Sequence, residues 1–270
     1  MNLTATFWTK PMIDGRWEVK DQIKHTLLLC ALSSIYAKRS GAHITIHCDS
    51  KVYNHLKKMK YDEVYCDLDD LKIEKSDSTL MWAAGKFITL KNEPLKTIHI
   101  DNDVFIKKPE CLEQMKFDGY DFICQHIEKS EYKEQSLLKD HIQTVDMNSK
   151  FACCVGILGF NNQELLDKYI EHYEYYRKNL NYDIKGNKFL NADLILEQSY
   201  MYDRMIEGYK CKTLIGDIRT DHITKIQYNS SNIGYEHLIG NSKYMPYIIK
   251  RLKKELKKLD LELFNYIETL

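Results

Sequence analysis

Two aspartates stand one residue apart directly after an apolar run. The segment Lys96–Ile106 reads KTIHIDNDVFI, and Asp101, Asn102 and Asp103 interrupt its strand-like pattern. Two carboxylates at a turning strand end can converge on a hard cation, because Mg²⁺ and Mn²⁺ prefer oxygen ligands. A cation held there could bind a diphosphate and, as a Lewis acid, offset charge on a departing phosphate oxygen. Taken alone, such a pair also fits a solvated turn.

A second group of chemically suitable residues lies near the C-terminus, in the segment HLIGNSK. His237 could supply an imidazole ligand to a metal, and Gly240 would let backbone approach a phosphate closely. The ammonium group of Lys243 could neutralise phosphate charge. Taken alone, a histidine, glycine and lysine at this spacing are common by chance, so the hypothesis depends on both groups occurring together.

The surrounding pattern predicts elements that could bring these residues together. Strand patterns occur at Leu3–Thr9, His43–Cys48, Val64–Cys66, Lys96–Ile106, Tyr120–Cys124 and Cys153–Phe160. Helical spacing occurs at Gln22–Lys38, Val52–Met59, Leu80–Leu90, Gln163–Asn179, Ala192–Glu207 and Tyr244–Ile267. The alternation of strand and helix predicts an α/β fold with a mostly parallel central sheet. Ligands of such sheets collect at the carboxyl ends of the strands, which is where the aspartates lie.

The segment IHIDNDVFIKKPE resembles the DxD region of GT-A glycosyltransferases, in which an apolar strand delivers the aspartates to a metal. The HLIGNSK segment resembles the HxxGxxK motif of glycosyltransferase family 8. The resemblance implies a single GT-A, Rossmann-like domain in which Asp101, Asp103 and His237 bind Mn²⁺ or Mg²⁺. It also implies that Gly240 and Lys243 contact the donor diphosphate. The sequence departs from the family after Lys243, where Tyr-Met-Pro replaces Pro-Trp.

Further donor-binding residues follow from the same resemblance and, separately, from side chains at the ends of predicted strands. Besides Asn102 of the motif, Lys86 in WAAGK stands where family 8 members carry a basic residue that contacts the donor, although a surface lysine on an amphipathic helix has the same pattern. Asp49 follows the second predicted strand and could accept hydrogen bonds from a base or ribose. The first strand ends in Phe7, Trp8 and Thr9, which could contact a base, although Trp8 is equally suited to the core.

The candidate catalytic residues are Asp193, Glu197 and Gln198, whose segment resembles the Asp-Gln pair of family 8 with glutamate in place of aspartate. Asp193 and Glu197 are four residues apart and would share a helix face. A carboxylate or amide there could stabilise an oxocarbenium-like transition state. The family analogy implies retention of the anomeric configuration. The segment Cys154–Gly159 resembles the family strand that lies beneath the sugars, with cysteines replacing small polar residues.

Composition excludes some classes of function. The 39 basic and 39 acidic residues cancel, so no global positive field favours nucleic-acid binding. The eight cysteines form no CxxC pair, and we expect them to be buried and reduced rather than to bind zinc or form disulfides. Without a signal-like N-terminus or a long apolar run, the sequence predicts a cytoplasmic protein.

The C-terminal segment predicts a basic amphipathic helix. Its apolar stripe consists of Ile248, Ile249, Leu252, Leu256, Leu259 and Leu263, and lysines occupy the other side. Such a helix could lie on the inner face of an anionic membrane, as a peripheral contact. Alternatively, the stripe packs on the body of the protein and the lysines face water.

These expectations combine into one hypothesis. A GT-A domain spans residues 1–243, with a nucleotide-sugar half at 1–110 and an acceptor half at 111–243, and residues 244–270 form the C-terminal helix. The expected activity is metal-dependent transfer of a sugar from a nucleotide-sugar, with UDP as the implied nucleotide, to a glycan, lipid-linked or protein acceptor. The polar stretch Glu128–Lys150 is expected to form a helix and a mobile loop that sets acceptor specificity.

Two alternatives remain open. One is a catalytically silent nucleotide-sugar-binding protein that keeps the fold. The other is a sugar-phosphate nucleotidyltransferase, which needs a glycine-rich, arginine-containing loop after the first strand. Here that position reads Thr9-Lys10-Pro11-Met12, which is not such a loop.

Overall fold

The strands of the protein carry the candidate residues at their ends. The computed structural model describes residues 1–17, 19–71, 75–129, 138, 141–179, 192–216 and 223–270, so residues 130–137, 139 and 140 of the expected helix and loop within Glu128–Lys150 lie outside the described residues. The strands are β1 (Asn2–Phe7), β2 (His43–Cys48), β3 (Glu63–Cys66), β4 (Ile98–Ile100), β5 (Val104–Ile106), β6 (Phe122–Lys129), β7 (Phe151–Phe160), β8 (Cys211–Thr213) and β9 (Tyr235–His237).

Seven of these described strands form one sheet in the order β3-β2-β1-β4-β7-β6-β8. Strands β3, β2, β1 and β4 are parallel to one another, and β6 and β8 are parallel. Strand β7 runs antiparallel to both of its neighbours. Strands β5 and β9 form a separate antiparallel pair. The predicted α/β class with a mostly parallel central sheet is therefore confirmed.

Helices cover both faces of this sheet. They are α1 (Lys10–Ile13), α2 (Gln22–Arg39), α3 (Ser50–Leu56), α4 (Lys75–Leu80), α5 (Ala84–Asn92), α6 (Pro109–Gln114), α7 (Gln163–Asn179), α8 (Ala192–Leu194), α9 (Tyr200–Ile206), α10 (Ile223–Ile233), α11 (Pro246–Leu259) and α12 (Leu261–Glu268). Helices α2, α11 and α12 pack into one buried apolar cluster, and α5, α7 and α9 pack into another.

Strand β1 shows why the sheet is covered on both sides. Ala5 and Phe7 belong to the apolar cluster that contains α2, whereas Trp8 belongs to the cluster that contains α5. Between them, the Thr6 hydroxyl donates a hydrogen bond to the Thr89 hydroxyl of α5 at 2.7 Å. Successive side chains of a strand point to opposite faces, so a central parallel strand must be buried along its whole length.

Glycine allows α5 to approach β1 closely. A Cβ atom added at Gly85 would lie 3.0 Å from the Thr6 Cγ2 atom and 3.0 Å from the Trp8 Cβ atom. The helix could not sit this near the strand with a larger residue at that position. The close approach brings the next residue, Lys86, over the sheet.

The strand-like pattern of Lys96–Ile106 is interrupted at the three polar residues, as the sequence indicated. The segment divides into β4 and β5, which belong to different sheets. The chain turns at the aspartates, where the Val104 N–H donates to the Asp101 carbonyl at 2.9 Å. Three successive polar residues cannot continue a strand that is buried on both faces, so the chain leaves the central sheet there.

The expectation of a single C-terminal helix over Tyr244–Ile267 is wrong. The backbone is extended at Asp260, which separates α11 from α12, and the Asp260 carboxylate accepts a hydrogen bond from the Leu263 N–H at 2.9 Å. Likewise, the expected helix Leu80–Leu90 divides into α4 and α5. These breaks escape the periodicity argument because apolar spacing continues across a capped bend.

The apolar stripe of the C-terminal segment faces the protein. Leu252, Leu256, Leu263 and Ile267 are buried in the cluster that contains α2. The lysines of α11 are more exposed to solvent than these apolar side chains. Among the described residues, no helix has both the length and the apolar character needed to span a bilayer.

The cysteines differ in part from the expectation that all are buried. Cys66 is exposed and Cys211 is half-buried, while the other six are buried. All eight are free thiols in the structure. Cys66 lies on β3, an edge strand of the central sheet, so one face of its strand meets solvent.

Candidate active site

The turn between β4 and β5 holds both aspartates in fixed positions. The Asp101 N–H donates to the Gly156 carbonyl at 2.9 Å, and the Asn102 side-chain amide donates to the Thr6 carbonyl at 2.7 Å. The Asp103 carbonyl accepts from the Leu238 N–H at 3.1 Å. The turn is thus tied to β1, to β7 and to the end of β9, with Asp101 half-buried and Asp103 buried.

Strand pairing brings His237 to the aspartates. In the β5–β9 pair, His237 is in register with Val104, next to Asp103 in the chain. The His237 Nε2 atom lies 3.4 Å from the Asp103 Oδ1 atom. Ligand atoms of Asp101, Asp103 and His237 all lie within 4.8 Å of one another. The structure therefore brings together the three residues that the sequence predicted as metal ligands.

Two residues that the sequence analysis missed orient His237. The His237 Nδ1 atom lies 2.7 Å from the Gln125 Oε1 atom, which can only accept, so Nδ1 donates this hydrogen bond and Nε2 is the nitrogen that faces Asp103 and is placed to bind a metal. A Cβ atom added at Gly156 would lie 2.5 Å from the His237 Cε1 atom. Gly156 therefore leaves the space that the imidazole ring occupies. The VGILG pattern of β7 contains this glycine, but its partner is visible only in the fold.

Lysines neutralise both aspartates. The Lys243 Nζ atom lies 2.6 Å from Asp103 Oδ2. Burial alone would raise the pKa of Asp103, but the Lys243 ammonium outweighs it and holds that pKa well below its usual range. The Lys86 Nζ atom lies 3.2 Å from Asp101 Oδ1 and 3.3 Å from Glu197 Oε1. Lys86 is buried, but these two carboxylates raise its pKa.

The donor set fits a divalent cation. The Asp103 Oδ1 atom is buried and has no hydrogen-bond partner, while its other oxygen accepts from Lys243. An unpaired buried carboxylate oxygen is costly unless a cation or a donor satisfies it. Together with the Nε2 lone pair of His237 and a half-buried carboxylate from Asp101, it forms an oxygen-rich set suited to Mn²⁺ or Mg²⁺.

An open cleft adjoins these residues. Its volume is about 750 Å³, a value that includes solvent space at the opening. Its lining includes most of the predicted donor-binding residues, namely Phe7, Trp8, Lys86, Asp101, Asn102 and Lys243, and the predicted metal ligand Asp103. The lining of this cleft does not include the predicted Thr9, Asp49, Gly240 or His237, nor any of the three candidate catalytic residues.

Thr9 and Asp49 bind each other. The Asp49 Oδ2 atom accepts from the Thr9 N–H at 2.6 Å and from the Thr9 hydroxyl at 2.7 Å. Its Oδ1 atom accepts from the Lys51 N–H at the start of α3. Asp49 thus joins the ends of β1 and β2. Gly240 has a φ of 62°, a conformation that favours glycine, and begins the helical turn Gly240–Tyr244 that carries Lys243.

The candidate catalytic carboxylates lie behind the cleft wall. Asp193 accepts hydrogen bonds from the Ala83 N–H at 2.8 Å and the Tyr173 hydroxyl at 2.7 Å. Burial raises the pKa of Asp193 to about 7. Burial also raises the pKa of Glu197 to about 8, with the negative charges of Asp193 and Asp101 adding to the effect against the pull of Lys86. Lys86 opposes this rise in the pKa of Glu197 but does not cancel it.

The helix that carries these residues is irregular. The expected helix Ala192–Glu207 consists of α8, a π-helical turn over Ile195–Ser199 and α9. Glu197 and Gln198 lie on that turn, and Gln198 is half-buried. Single π-helical turns inside helices are frequent at functional sites, because they shift side chains out of the ordinary helical register.

Tryptophans that the sequence analysis did not single out form part of the cleft wall. Trp17 and Trp82 line the cleft and contact each other edge to face, with ring centroids 5.7 Å apart. The Trp82 Nε1 atom is buried and has no hydrogen-bond partner. Trp8 also lines the cleft, although it is only 7% exposed. The chain has three tryptophans and all of them line this cleft, a concentration that the sequence alone could not reveal.

Several solved structures are similar to this chain at low identity. The glycosyltransferase GlyE of Streptococcus pneumoniae TIGR4 is 11% identical with a TM-score of 0.36, over 78% of this chain and 45% of that one. The chain thus spans less than half the length of GlyE. A glycosyltransferase involved in the glycosylation of the major capsid of PBCV-1 is 9% identical with a TM-score of 0.44, over 94% of this chain and 100% of that one.

The inositol-1-phosphate CTP transferase from T. maritima is 8% identical with a TM-score of 0.47, over 95% of this chain and 96% of that one. No curated protein sequence matches this chain. One family model matches, over residues 1–270, and is described as a family of unknown function (DUF6734). Since the match covers the whole sequence, the chain belongs to this family.

Proposed function

We propose that this protein is a metal-dependent glycosyltransferase that moves a sugar from a nucleotide-sugar, with UDP as the nucleotide, to a glycan, lipid-linked or protein acceptor. The observation that carries the proposal is the convergence of Asp101, Asp103 and His237 within 4.8 Å at the end of β4, beside a cleft. The ammonium groups of Lys86 and Lys243 form ion pairs with Asp101 and Asp103, respectively. A diphosphate needs this combination of cation ligands and ammonium groups.

The two lysines would bind the donor diphosphate. A bound Mn²⁺ or Mg²⁺ would stabilise the charge on the departing diphosphate oxygen. Lys243 already pairs with Asp103 at the cleft and would contact a phosphate placed there. Asn102 and Gly240 shape the turns that carry these groups. The donor would thus occupy the half formed by residues 1–110 and the acceptor the half formed by 111–243.

The aromatic wall would hold the base. Trp17 and Trp82 present faces and edges in the cleft, and an aromatic face stacks on any nucleobase. The unpartnered indole N–H of Trp82 is a donor for which a base or ribose oxygen is a suitable acceptor. Phe7, Trp8 and the Thr9–Asp49 pair would support this wall from the ends of β1 and β2.

The buried carboxylates would act as positioning residues. Glu197 reaches the cleft through Lys86, whose ammonium lies between it and Asp101. Asp193 holds the start of α5 through the Ala83 N–H. Both, with Gln198, would fix Lys86 and the electrostatic field beneath the donor sugar. Transfer would break the bond between the anomeric carbon and the diphosphate oxygen and form a bond to the acceptor oxygen with retention, while the acceptor proton leaves with the diphosphate.

Donor hydrolysis tests the proposal, because water can replace an unidentified acceptor. Purified protein is incubated with UDP- and GDP-sugars with and without Mn²⁺, and release of free sugar and nucleoside diphosphate is measured. We expect Mn²⁺-dependent release from a UDP-sugar, and Asp103→Ala should abolish it. Asp167→Ala, on an exposed position of α7, is the matched control and should retain it.

Other outcomes would contradict the proposal. Full activity in the Asp103→Ala variant would place the reaction elsewhere. Nucleotide binding without sugar release would favour the silent binding protein. Formation of a nucleotide-sugar and pyrophosphate from a nucleoside triphosphate and a sugar phosphate would favour a nucleotidyltransferase.

A further inference from the structure

A second cluster of metal-binding side chains lies on the β6–β7 hairpin. His126 and Cys154 are paired across the two strands, just after an irregularity in their register between Cys124 and His126. Glu128 follows on β6. One ligand atom from each of His126, Glu128 and Cys154 lies within 4.8 Å of the others.

His126 lacks the hydrogen bonds that a buried imidazole needs. Its side chain is fully buried, and neither its Nδ1 nor its Nε2 atom has a hydrogen-bond partner. Leaving such an atom unsatisfied costs about 1–3 kcal/mol, so an unpartnered buried group calls for an unseen ligand.

The geometry and chemistry of the cluster suit a borderline cation. Zn²⁺ binds nitrogen, oxygen and sulfur at about 2.0–2.3 Å, so ligand atoms on a tetrahedral ion are separated by roughly 3.3–3.8 Å. The His126 Nε2 atom lies 3.7 Å from the Glu128 Oε2 atom. The Glu128 side chain is 19% exposed, which gives an ion a path from solvent. A thiolate, an imidazole and a carboxylate leave a fourth position for water or substrate.

We infer that His126, Glu128 and Cys154 form a second metal site, which takes a divalent ion of the Zn²⁺ type. The site shares no ligand with Asp101, Asp103 and His237. Its sulfur ligand favours Zn²⁺ over Mn²⁺ or Mg²⁺, whereas the first set offers two carboxylates and one imidazole.

One side chain lies between the two sites. The Gln125 Oε1 atom accepts from His237 Nδ1 at 2.7 Å and lies 3.7 Å from the Cys154 Sγ atom, which donates to it as a thiol. A metal-bound thiolate has no proton to donate. When a metal occupies the second site, the Gln125 oxygen therefore loses the hydrogen bond from Cys154 and keeps only the one from His237.

A neighbouring thiol cluster provides the control. Cys124, Cys153 and Cys211 also offer sulfur atoms within 4.8 Å of one another, with the Cys124 and Cys211 sulfurs 3.6 Å apart. Cys124 and Cys153 pack within an apolar cluster. Buried thiols do not need partners, so nothing comparable to the unpartnered imidazole of His126 points to a ligand there.

Cobalt substitution of the full chain tests the inference without any transferase assay. Metal-stripped protein is titrated with Zn²⁺ and with Co²⁺ in excess Mg²⁺, and thiolate-to-Co²⁺ charge-transfer absorption is recorded. We expect one equivalent of Zn²⁺ and a charge-transfer band. Cys154→Ser should abolish the band, while Cys211→Ser and Asp103→Asn should keep it.

Glu128→Gln provides a variant that keeps the volume of a half-buried side chain. Loss of an outer partner of a metal ligand costs about 10–100-fold in affinity, so loss of a ligand should weaken Zn²⁺ binding by at least about tenfold. A cooperative thermal unfolding transition of the variant in the absence of metal shows that the protein whose Zn²⁺ affinity is measured is folded. A band that survives Cys154→Ser but disappears in Cys211→Ser would overturn the site, as would wild-type protein that binds no Zn²⁺. Neither outcome depends on whether the protein transfers sugar.

Discussion

The His237 Nδ1 atom lies 2.7 Å from the Oε1 atom of Gln125, a residue 112 positions earlier in the chain. This hydrogen bond decides which nitrogen of the imidazole carries the proton. The lone pair of the other nitrogen then faces the unpartnered Asp103 oxygen 3.4 Å away. Gln125, which does not line the cleft, thus orients the proposed metal ligand His237.

Replacing that glutamine should weaken the metal site. Gln125→Leu removes the acceptor of His237 Nδ1 and frees the ring to change tautomer and orientation. We expect Mn²⁺ affinity to fall by about 10–100-fold, as is usual when the outer partner of a ligating histidine is lost. Calorimetric titration measures it, with the exposed Gln227→Leu as the control. An unchanged Mn²⁺ affinity in Gln125→Leu would contradict the role assigned to Gln125.

A methyl group at Gly156 should displace His237. The added Cβ atom would lie 2.5 Å from His237 Cε1, closer than two carbons can approach. We expect Gly156→Ala to abolish Mn²⁺ binding and to lower the free energy of unfolding by about 1–3 kcal/mol.

Gly159→Ala is the matched control for this substitution. It lies on the same strand and its Cβ would lie 2.8 Å from the Ile98 side chain, away from the site. It should lower stability to a similar extent but keep Mn²⁺ affinity. Equal loss of Mn²⁺ binding in both variants would mean that general strain in β7, rather than the His237 ring, is responsible.

The buried carboxylates predict a dependence of stability on pH. Burial raises the pKa of Glu197 to about 8 and that of Asp193 to about 7. Between these values and the ordinary carboxyl pKa of about 4, the folded protein binds more protons than the unfolded chain. The contribution of these two carboxylates to the free energy of unfolding should therefore fall as pH rises from about 5 to 8. Denaturant unfolding at several pH values measures this slope.

Removing one of these protons should flatten the slope. Glu197→Gln cannot lose a proton, so its stability should decline less between pH 5 and 8 than that of the wild type. Glu171→Gln, at an exposed position of α7, is the control and should keep the wild-type slope. If Glu197→Gln and the wild type decline equally, Glu197 is not protonated in the folded protein at neutral pH.

The tryptophan wall predicts an optical signal for nucleotide binding. All three tryptophans line the cleft, so UDP should change the intrinsic fluorescence. Trp82→Ala should weaken UDP binding by about 1–3 kcal/mol, the usual contribution of one base stacked on an aromatic ring. Tyr228→Ala, at a 69% exposed position, should leave the affinity unchanged. UDP affinity that is equal in all three proteins would place the base elsewhere.

Local patterns predicted much of the secondary structure. The apolar spacing of α2 and the strand patterns of β1 and β2 are found at nearly the expected bounds. Such patterns arise from the geometry of a single helix or strand, which the neighbouring residues specify. The same argument failed at Asp260, where the chain turns within an otherwise continuous apolar pattern.

The amino-acid sequence by itself determined the α/β class, the position of Asp101 and Asp103 after a buried strand and, through family resemblance, the choice of His237 as their partner. Only the tertiary structure decided that Lys86 is shared between Asp101 and Glu197, that Gln125 and Gly156 hold the His237 ring, and that the tryptophans share one cleft. The physical reason is distance along the chain. Periodicity reports which face of an element is buried, whereas contacts between residues on different elements depend on strand order and register.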